Sequence, residues 1–446
     1  MQIILLSGGS GKRLWPLSNN TRSKQFLKLL PAGGDATESM VQRVVRQIRD
    51  AQLTDSIIVA TGANQKDIIS NQLGGSVEVV SEPSRRDTFP AIALASMYIA
   101  DKKQCSSSEV VVVMPCDPFT EVGYFQTIEK MASEVEHGKA DLILMGIKPT
   151  YPSTKYGYVV PSQQHNDGIA FSVERFTEKP DEKRAAELIS QNAFWNGGVF
   201  AFRLGYMTDI VKQQLDVNSI IECYDRYAEL PKISFDYEVV EKASSIVVVP
   251  FSGLWKDLGT WDSLSGEIKK ESIGNVVMGD NNSGTLVINE LNIPILCEGA
   301  KDMIIAADPD GILVCSKEHS EGIKSLVEKV KSRPMYEERR WGDYKVLDHT
   351  KADNGYESLT KQLHLKPGCK ISYQLHHCRE EVWSFIEGEG IIKLDGEETS
   401  VKAGQVVRIK KEQLHGLKAI TDLRLIEVQL GTNLVEEDIV RVELDW

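Results

Sequence analysis

The sequence predicts an α/β amino-terminal domain with a mixed, mostly parallel sheet, then a β-rich connector, then a β-barrel at the carboxyl end. Three observations carry that expectation. Short apolar runs at 3–7, 56–60, 77–80, 110–114, 142–146 and 245–249 alternate with amphipathic stretches such as 39–50 and 90–101. Strand, crossover helix and strand in repetition build a sheet with helices on both faces. Beyond residue 265 the texture turns to Gly274-Asn275-Val276-Val277-Met278-Gly279-Asp280-Asn281-Asn282-Ser283-Gly284, and 320–331 then reads as a helix ended by Arg333-Pro334. From 336 onward, strand-like runs at 359–365, 382–386, 391–394, 406–410 and 423–430 are separated by Pro367-Gly368, Gly388, Asp395-Gly396 and Ala403-Gly404. That rhythm is the one a small barrel or jelly roll produces. The expected domains are 1–265, a connector at 266–335 and a barrel at 336–446.

A chain of 446 residues has room for two to four such domains. At 41% hydrophobic and 26% charged it has ordinary globular usage, which excludes a disordered, collagenous or low-complexity protein. No apolar run approaches the ~20 residues that cross a bilayer. Met1-Gln2 leads straight into apolar sequence without a basic segment, so a signal peptide is not expected. Seven cysteines, an odd number without CxxC pairs, point to a reducing cytoplasm and not to a disulfide framework. The net charge is −13, from 64 acidic against 51 basic residues, which disfavours nucleic acid and anionic membranes as partners. A phosphorylated ligand then needs a local cluster of Lys, Arg or backbone N–H groups, or a metal ion.

Such a cluster follows the first strand. Gly8-Gly9-Ser10-Gly11-Lys12-Arg13-Leu14-Trp15-Pro16-Leu17 puts three glycines in four positions. There the backbone can approach a ligand closely and its N–H groups can form an anion-binding concavity. Lys12 and Arg13 add charge, and Lys24 lies close behind in Ser23-Lys24-Gln25-Phe26-Leu27. The pattern is neither GxxxxGK[ST] nor GxGxxG, so a dinucleotide cofactor is not expected.

These residues resemble the opening motif of the sugar-1-phosphate nucleotidylyltransferases, and most of all the long, cupin-tailed bacterial mannose-1-phosphate guanylyltransferases. The resemblance recurs in order along nearly the whole chain. It includes Val111-Val112-Val113-Met114-Pro115-Cys116-Asp117, Phe176-Thr177-Glu178-Lys179-Pro180 and Phe194-Trp195-Asn196-Gly197-Gly198-Val199-Phe200. Asp236-Tyr237-Glu238-Val239-Val240-Glu241-Lys242 and Trp255-Lys256-Asp257-Leu258-Gly259-Thr260-Trp261 complete the set. It implies a Rossmann-like nucleotidyltransferase domain, a β-helix-like connector and a cupin barrel.

Joining a sugar phosphate to a nucleotide needs an oxyanion to attack the α-phosphorus of a nucleoside triphosphate. Both reactants are anionic, so catalysis is positioning and electrostatics. Two carboxylates holding Mg²⁺ beside the α-phosphate suit that task, and the resemblance points to Asp117 and Asp257. It also implies that Gly8, Gly9, Gly11, Lys12, Arg13 and Asp87 bind the nucleotide, that Arg13 clamps the triphosphate, and that Lys24 holds phosphates nearer the reaction. Lys179 would hold the sugar phosphate, while Glu178 and Asn196 would bond sugar hydroxyls. Without the resemblance, an Asp at a strand end reads as a turn or helix cap. Cys116, Trp255 and Trp261 read as packing residues.

One block departs from the family. Where E-P-x-G-R-N-T-A-P-A is usual, the chain has Glu82-Pro83-Ser84-Arg85-Arg86-Asp87-Thr88-Phe89-Pro90-Ala91. An acid in place of an amide at 87 changes the donor and acceptor pattern, which leaves base and sugar open. The alternative is that Asp87 only caps the helix starting near Pro90.

In the tail, Gly368-x5-Gln374-x-His376-x4-Glu381-x6-Gly388 has cupin spacing. The resemblance implies Gln374, His376 and Glu381 as inward ligands, with His415 as the fourth. His376 and His377 are adjacent, so only one can face inward on a strand. Such a set suits Zn²⁺ or another divalent ion. The pattern also resembles a type II phosphomannose isomerase domain, with Arg340-Trp341-Gly342-Asp343-Tyr344 at its start and Gly431 to Glu436-Glu437-Asp438-Ile439-Val440-Arg441 at its end. It departs at Cys378, at Val382 and at Gly416, where an Arg is usual after the last His.

Three readings follow. The first is GTP plus mannose 1-phosphate to GDP-mannose and pyrophosphate, with a cupin that adds isomerisation. The second is the same chemistry with another nucleoside triphosphate or hexose 1-phosphate. The third is a non-catalytic sugar-nucleotide-binding paralogue. A homodimer is expected.

Overall fold

The computed structural model describes all residues except 10–11, 167–168, 332, 436–437 and 444–446. The chain forms two compact units. Met1–Leu14 and Ser23–Lys269 make the first, and Trp15–Arg22 with Lys270–Trp446 make the second. The stretches 270–335 and 336–446 both fall in the second unit.

The first unit is α/β, as the alternating pattern predicts. Its nine-stranded sheet runs in the order Glu78–Glu82, Ile57–Gly62, Gln2–Ser7, Val110–Pro115, Phe194–Arg203, Leu142–Ile147, Ile246–Phe251, Phe171–Thr177, Tyr158–Asn166. Gln2–Ser7 is parallel to both its neighbours, whereas Phe194–Arg203 is antiparallel to both of its own. Successive side chains on the first strand point to opposite faces. Ile3 and Leu5 join one buried cluster with Val112 and Met114, and Ile4 joins the other with Val111 and Val113. These strands are buried on both faces, which is why they read as unbroken apolar runs.

Helices cover both faces. Met40–Asp50 starts with a capping box, in which Ser39 Oγ accepts the Gln42 N–H and Gln42 Oε1 accepts the Ser39 N–H. Thr88–Asp101 is capped by Asp87, whose carboxylate accepts the Thr88 N–H at 2.8 Å. A separate two-stranded ribbon pairs Pro118–Thr120 with Trp255–Asp257, setting Asp257 opposite Pro118.

The second unit opens with short parallel strands. Ser272–Gly274, Leu286–Asn289 and Met303–Asp308 stack in register, and Val276–Met278 pairs with Ile295–Cys297. The helix expected over 320–331 is shorter. Lys317–Gly322 winds as a 3-10 turn and only Ile323–Val327 is α-helical. Gly322 sits inside the expected span, and a glycine there costs about 1 kcal/mol relative to alanine. Ile323 is the buried residue of the helix whereas Leu326 is exposed, so packing does little to extend it.

The carboxyl-terminal part is a two-sheet β-barrel. One sheet has six strands, from Tyr336–Arg339 to Val406–Ile409, and the other has five, including Lys370–His376 and His415–Ala419. Arg379–Glu387 alternates strictly, turning Arg379, Glu381, Trp383 and Phe385 inward. Among the described residues, no helix is long and apolar enough to cross a membrane.

Candidate active site

The glycine-rich turn follows strand Gln2–Ser7, which lies between Ile57–Gly62 on one side and Val110–Pro115 on the other. Ligands in open α/β sheets sit beyond the carboxyl ends of such diverging strands. A cavity of about 430 Å³ lies there, walled by Gly8, Gly9, Gln25, Glu82, Arg85, Asp87 and Asp117 among others. That falls within the ~300–1,000 Å³ of small-molecule pockets. A side chain added at Gly8 would meet nothing within 4 Å, so the backbone faces open space. Gly11 lies outside the described residues. Lys12 and Arg13 stand on the following 3-10 turn, Lys12 half-buried and Arg13 exposed, and neither lines the cavity.

At the cavity's edge the structure brings three sequence-distant residues together. Lys24 Nζ lies 2.6 Å from Asp117 Oδ2 and 3.2 Å from Asp257 Oδ1. Asp117 is placed by the end of strand Val110–Pro115, and Asp257 by the ribbon strand that pairs beside it. Gly259 leaves the room, since a Cβ there would stand 2.9 Å from Asp257 Oδ1 and 3.2 Å from Lys24 Nζ. Burial alone would lower the Lys24 pKa, but the charges of Asp117 and Asp257 outweigh it and hold the ammonium well above its usual range. Two carboxylate oxygens already gathered around a positive charge form a donor set suited to a hard divalent cation. Cys116, buried beside Asp117, has its thiol pushed up to about 12 by burial, which fits packing and not nucleophilic attack.

A second cluster gathers Glu178, Lys179 and Asn196. Lys179 Nζ pairs with Glu178 Oε1 at 2.8 Å. Asn196 Oδ1 accepts the Gly198 N–H at 3.1 Å, and its Nδ2 donates to Asp236 Oδ1 at 2.5 Å. Asp236 joins this cluster although the sequence reading did not single it out; it opens one of the family-like blocks. Its carboxyl is pushed up to about 6 by burial and by the Glu178 charge. A Cβ at Gly157 would stand 2.3 Å from Glu178 Oε2 and 2.9 Å from the Phe176 ring, so any larger residue there would displace both. Between the clusters lies Tyr156, its ring 5.0 Å from that of Trp195 and 5.3 Å from that of Trp255. Burial raises its hydroxyl pKa, and the Asp257 charge raises it further. Trp261 is fully buried, as a packing residue should be.

Asp87 does cap the helix that follows, and it also lines the cavity. Its φ of 72° with ψ of −172° is a region that side chains rarely occupy.

In the barrel, His376, Glu381 and His415 converge, with ligand atoms within 4.8 Å of one another and every side chain 1% exposed or less. His376 Nδ1 donates to the Asp438 carbonyl at 3.2 Å and His415 Nδ1 to that of Gln413 at 2.9 Å. Both rings therefore turn an Nε2 lone pair toward the centre. His415 Nε2 is buried with no hydrogen-bond partner, and burial holds that imidazole below its ordinary pKa. An orphaned lone pair facing a carboxylate fits a divalent metal such as zinc. Gln374 lies against the cluster, its Nε2 3.5 Å from His376 Nε2, but its Oε1 is turned to Ser372 Oγ at 2.7 Å. His377 is exposed and pairs with Glu412 at 2.8 Å, so the adjacent histidines do face opposite ways. Arg379 was not singled out, although its place two residues before Glu381 on one strand could have revealed it. Its Nε lies 3.0 Å from Glu381 Oε1 and an Nη 3.3 Å from His376 Nε2. Burial would raise the Glu381 pKa, but its surroundings, the Arg379 guanidinium at 3.0 Å among them, outweigh that, so the carboxylate stays ionised.

Residues 2–272 match the nucleotidyl transferase family model, and 328–444 match that of the mannose-6-phosphate isomerase C-terminal domain. The chain is 32% identical to a mannose-1-phosphate guanylyltransferase of Salmonella montevideo, over 98% of each chain. It is 30% identical to the alginate biosynthesis protein AlgA of Pseudomonas putida, over 99% of this chain and 95% of that one. A solved structure from Thermus thermophilus, described as a mannose-1-phosphate geranyltransferase, is 26% identical with a TM-score of 0.61. It covers 74% of this chain and 99% of that one.

Proposed function

Because the chain belongs to the mannose-1-phosphate guanylyltransferase family of sugar-1-phosphate nucleotidyltransferases, in the long form with a mannose-6-phosphate isomerase domain, we propose that it joins GTP to mannose 1-phosphate, giving GDP-mannose and pyrophosphate. The observation that supports this most is the meeting of Asp117 and Asp257 around Lys24 at the edge of the glycine-lined cavity.

In this reading an oxygen of the sugar phosphate forms a bond to the α-phosphorus, and the bond from α-phosphorus to the bridging oxygen breaks in line, releasing pyrophosphate. The Gly8 and Gly9 backbone receives the nucleotide, and Arg13, with Lys12 beside it, clamps the triphosphate. Lys24 exchanges its carboxylate partners for phosphate oxygens as the nucleotide arrives, which frees Asp117 and Asp257 to hold a cation. Mg²⁺ bound there would supply charge neutralisation at the α-phosphate. Lys179 binds the sugar phosphate, while Glu178, Asn196 and Asp236 meet sugar hydroxyls. Holding two anions in line accounts for the rate gain without a covalent enzyme intermediate.

In the barrel His376, Glu381 and His415 would hold a divalent ion, joined by Gln374 once its amide turns. The match over 328–444 supports a second activity, interconversion of fructose 6-phosphate and mannose 6-phosphate. A strained Asp87 in the cavity wall favours one further reading, the same transfer with a different base or sugar.

Pyrophosphate release across a panel of nucleoside triphosphates and hexose 1-phosphates tests the set. Fastest turnover with GTP and mannose 1-phosphate supports the main reading. Another best pair selects the alternative substrate, and no turnover with any pair leaves a non-catalytic binding protein. A coupled assay for mannose 6-phosphate isomerisation decides the second activity separately.

A further inference from the structure

The barrel's six-stranded sheet carries a recess on the face turned away from its core. Tyr336–Arg339, Gly342–Lys351, Glu357–Leu365 and Leu423–Gly431 lie side by side in that sheet. Tyr344, Leu363, Leu365 and Leu425 turn inward to the barrel's apolar cluster. Their sequence neighbours Asp343, Lys345, Gln362, His364 and Arg424 therefore turn outward. The register sets Lys345 between Tyr336 and Gln362, and His364 between Asp343 and Arg424. These six residues line a cavity of about 260 Å³. That is smaller than the ~300–1,000 Å³ of whole-ligand pockets, so it suits a compact group and not a nucleotide. It shares no residue with the glycine-lined cavity or with the His376, Glu381 and His415 cluster.

The polar groups of the recess are mostly donors that remain available. Among the described residues Lys345 Nζ pairs with no carboxylate and reaches the Glu290 carbonyl at 3.5 Å. No hydrogen bond joins the Gln362 amide or the Tyr336 hydroxyl to another described residue. Arg424 meets Glu387 and Asp422 at 3.5 and 3.9 Å, and all three side chains are about half exposed, so these pairs contribute little and exchange readily. The nearby acids are occupied. Asp343 Oδ2 and Asp422 Oδ1 hold the two ring nitrogens of His364, at 3.0 and 2.8 Å. An ionised carboxylate only accepts, so serving both requires a proton on each nitrogen, and the imidazole is a cation. Burial would lower its pKa, but the bonds to Asp422 and Asp343 outweigh that and raise it. Glu290 is forked onto Arg22, which stands over the Tyr336 ring, and Glu338 is the remaining acid that acts on Tyr336.

We propose that this recess is an oxyanion site that takes the phosphoryl group of a phosphate monoester between Lys345 and Arg424, with Gln362 and Tyr336 as further donors. Such a group carries a charge of about −1.5 to −2 and three strong acceptor oxygens, which matches four convergent donors. Arg424 offers it a planar fork and Lys345 a point charge. A metal cation is disfavoured, because Lys345, Arg424 and His364 all face it with positive charge. On a chain of net charge −13, cations gathered in one recess form the local cluster that a phosphorylated ligand needs. The ligand is either free phosphate or the phosphoryl end of a sugar phosphate.

The test uses the full chain with isotope-labelled histidine and follows the His364 imidazole by NMR, its signal assigned with His364→Gln. Inorganic phosphate and mannose 6-phosphate are titrated separately, with sodium chloride at matched ionic strength as the control. The expected result is a saturable shift of His364 with a midpoint of about 1 mM, which chloride does not reproduce. Lys345→Met and Arg424→Gln should each raise that midpoint about tenfold or more, since each loses a bond to a charged group, while the melting temperature stays near wild type. Equal midpoints for the two probes identify free phosphate as a sufficient ligand. A lower midpoint for mannose 6-phosphate identifies a sugar phosphate. No saturable shift, the same shift with chloride, or unchanged midpoints in both variants overturns the proposal. Should either variant unfold, Gln362→Leu takes its place, with a midpoint expected to rise about threefold.

Discussion

Replacing Lys24 with methionine removes the ammonium and leaves its two partners facing each other. Asp117 Oδ2 and Asp257 Oδ1 lie 2.6 and 3.2 Å from the same nitrogen, so they are at most 5.8 Å apart. At an effective dielectric constant near 20, two unit charges at that separation repel by about 3 kcal/mol. With that repulsion unrelieved and the competing ammonium gone, a divalent ion should bind more tightly than in the wild-type protein. We expect Mn²⁺ affinity without nucleotide, followed by the electron paramagnetic resonance of free Mn²⁺, to rise at least about tenfold. Turnover should collapse in the same variant, because the phosphates lose a partner. Mn²⁺ affinity equal to or below wild type would refute the reasoning, since it would mean that the two carboxylates do not share one cation site.

Asp257→Asn should lower turnover by about 10²- to 10³-fold while the dissociation constant for GTP changes much less, checked by pyrophosphate release and by equilibrium binding. His376→Ala should reduce barrel-bound metal from near one ion per chain to a small fraction, read by elemental analysis of protein purified without chelator. Equal metal in both proteins would remove His376 from the ligand set. Asp308 is buried, and burial, helped by the Asp310 charge, pushes its carboxyl up to about 8. The unfolded chain releases that proton near pH 4, so the native state binds more protons between the two values. The stabilisation is complete below the unfolded pKa and is lost as pH rises through 8. Between pH 5 and 8 the wild-type protein should therefore lose about 3–4 kcal/mol from this group. Asp308→Asn, measured by urea denaturation at several pH values, should lack that slope. An unchanged slope would point to another titrating group.

The first sheet was legible because its strands are buried on both faces and read as continuous apolar runs. Val110–Pro115 and Leu142–Ile147 are plain in the sequence for that reason. Asp117 and Asp257 were also legible, as a pair implied by the family-like motifs, but the means of their meeting was not: a ribbon sets Asp257 opposite Pro118, a pairing of three-residue strands that no periodicity announces. Asp236 escaped because its role comes from a hydrogen bond to Asn196, 40 residues away, and from burial. Arg379 escaped because an arginine beside histidines reads as surface charge until strict alternation with Glu381 turns it inward. The assignment of 15–22 to the second unit was invisible, since it rests on pairings 268 and 291 residues apart in sequence.

The histidines and the glutamate at the barrel's centre are sealed to 1% exposure or less. Ligands buried so deeply would exchange an ion no faster than local openings of the barrel allow, and a sugar phosphate would reach them only through the same openings. Adding metal or chelator to the finished protein would change little until the barrel opens.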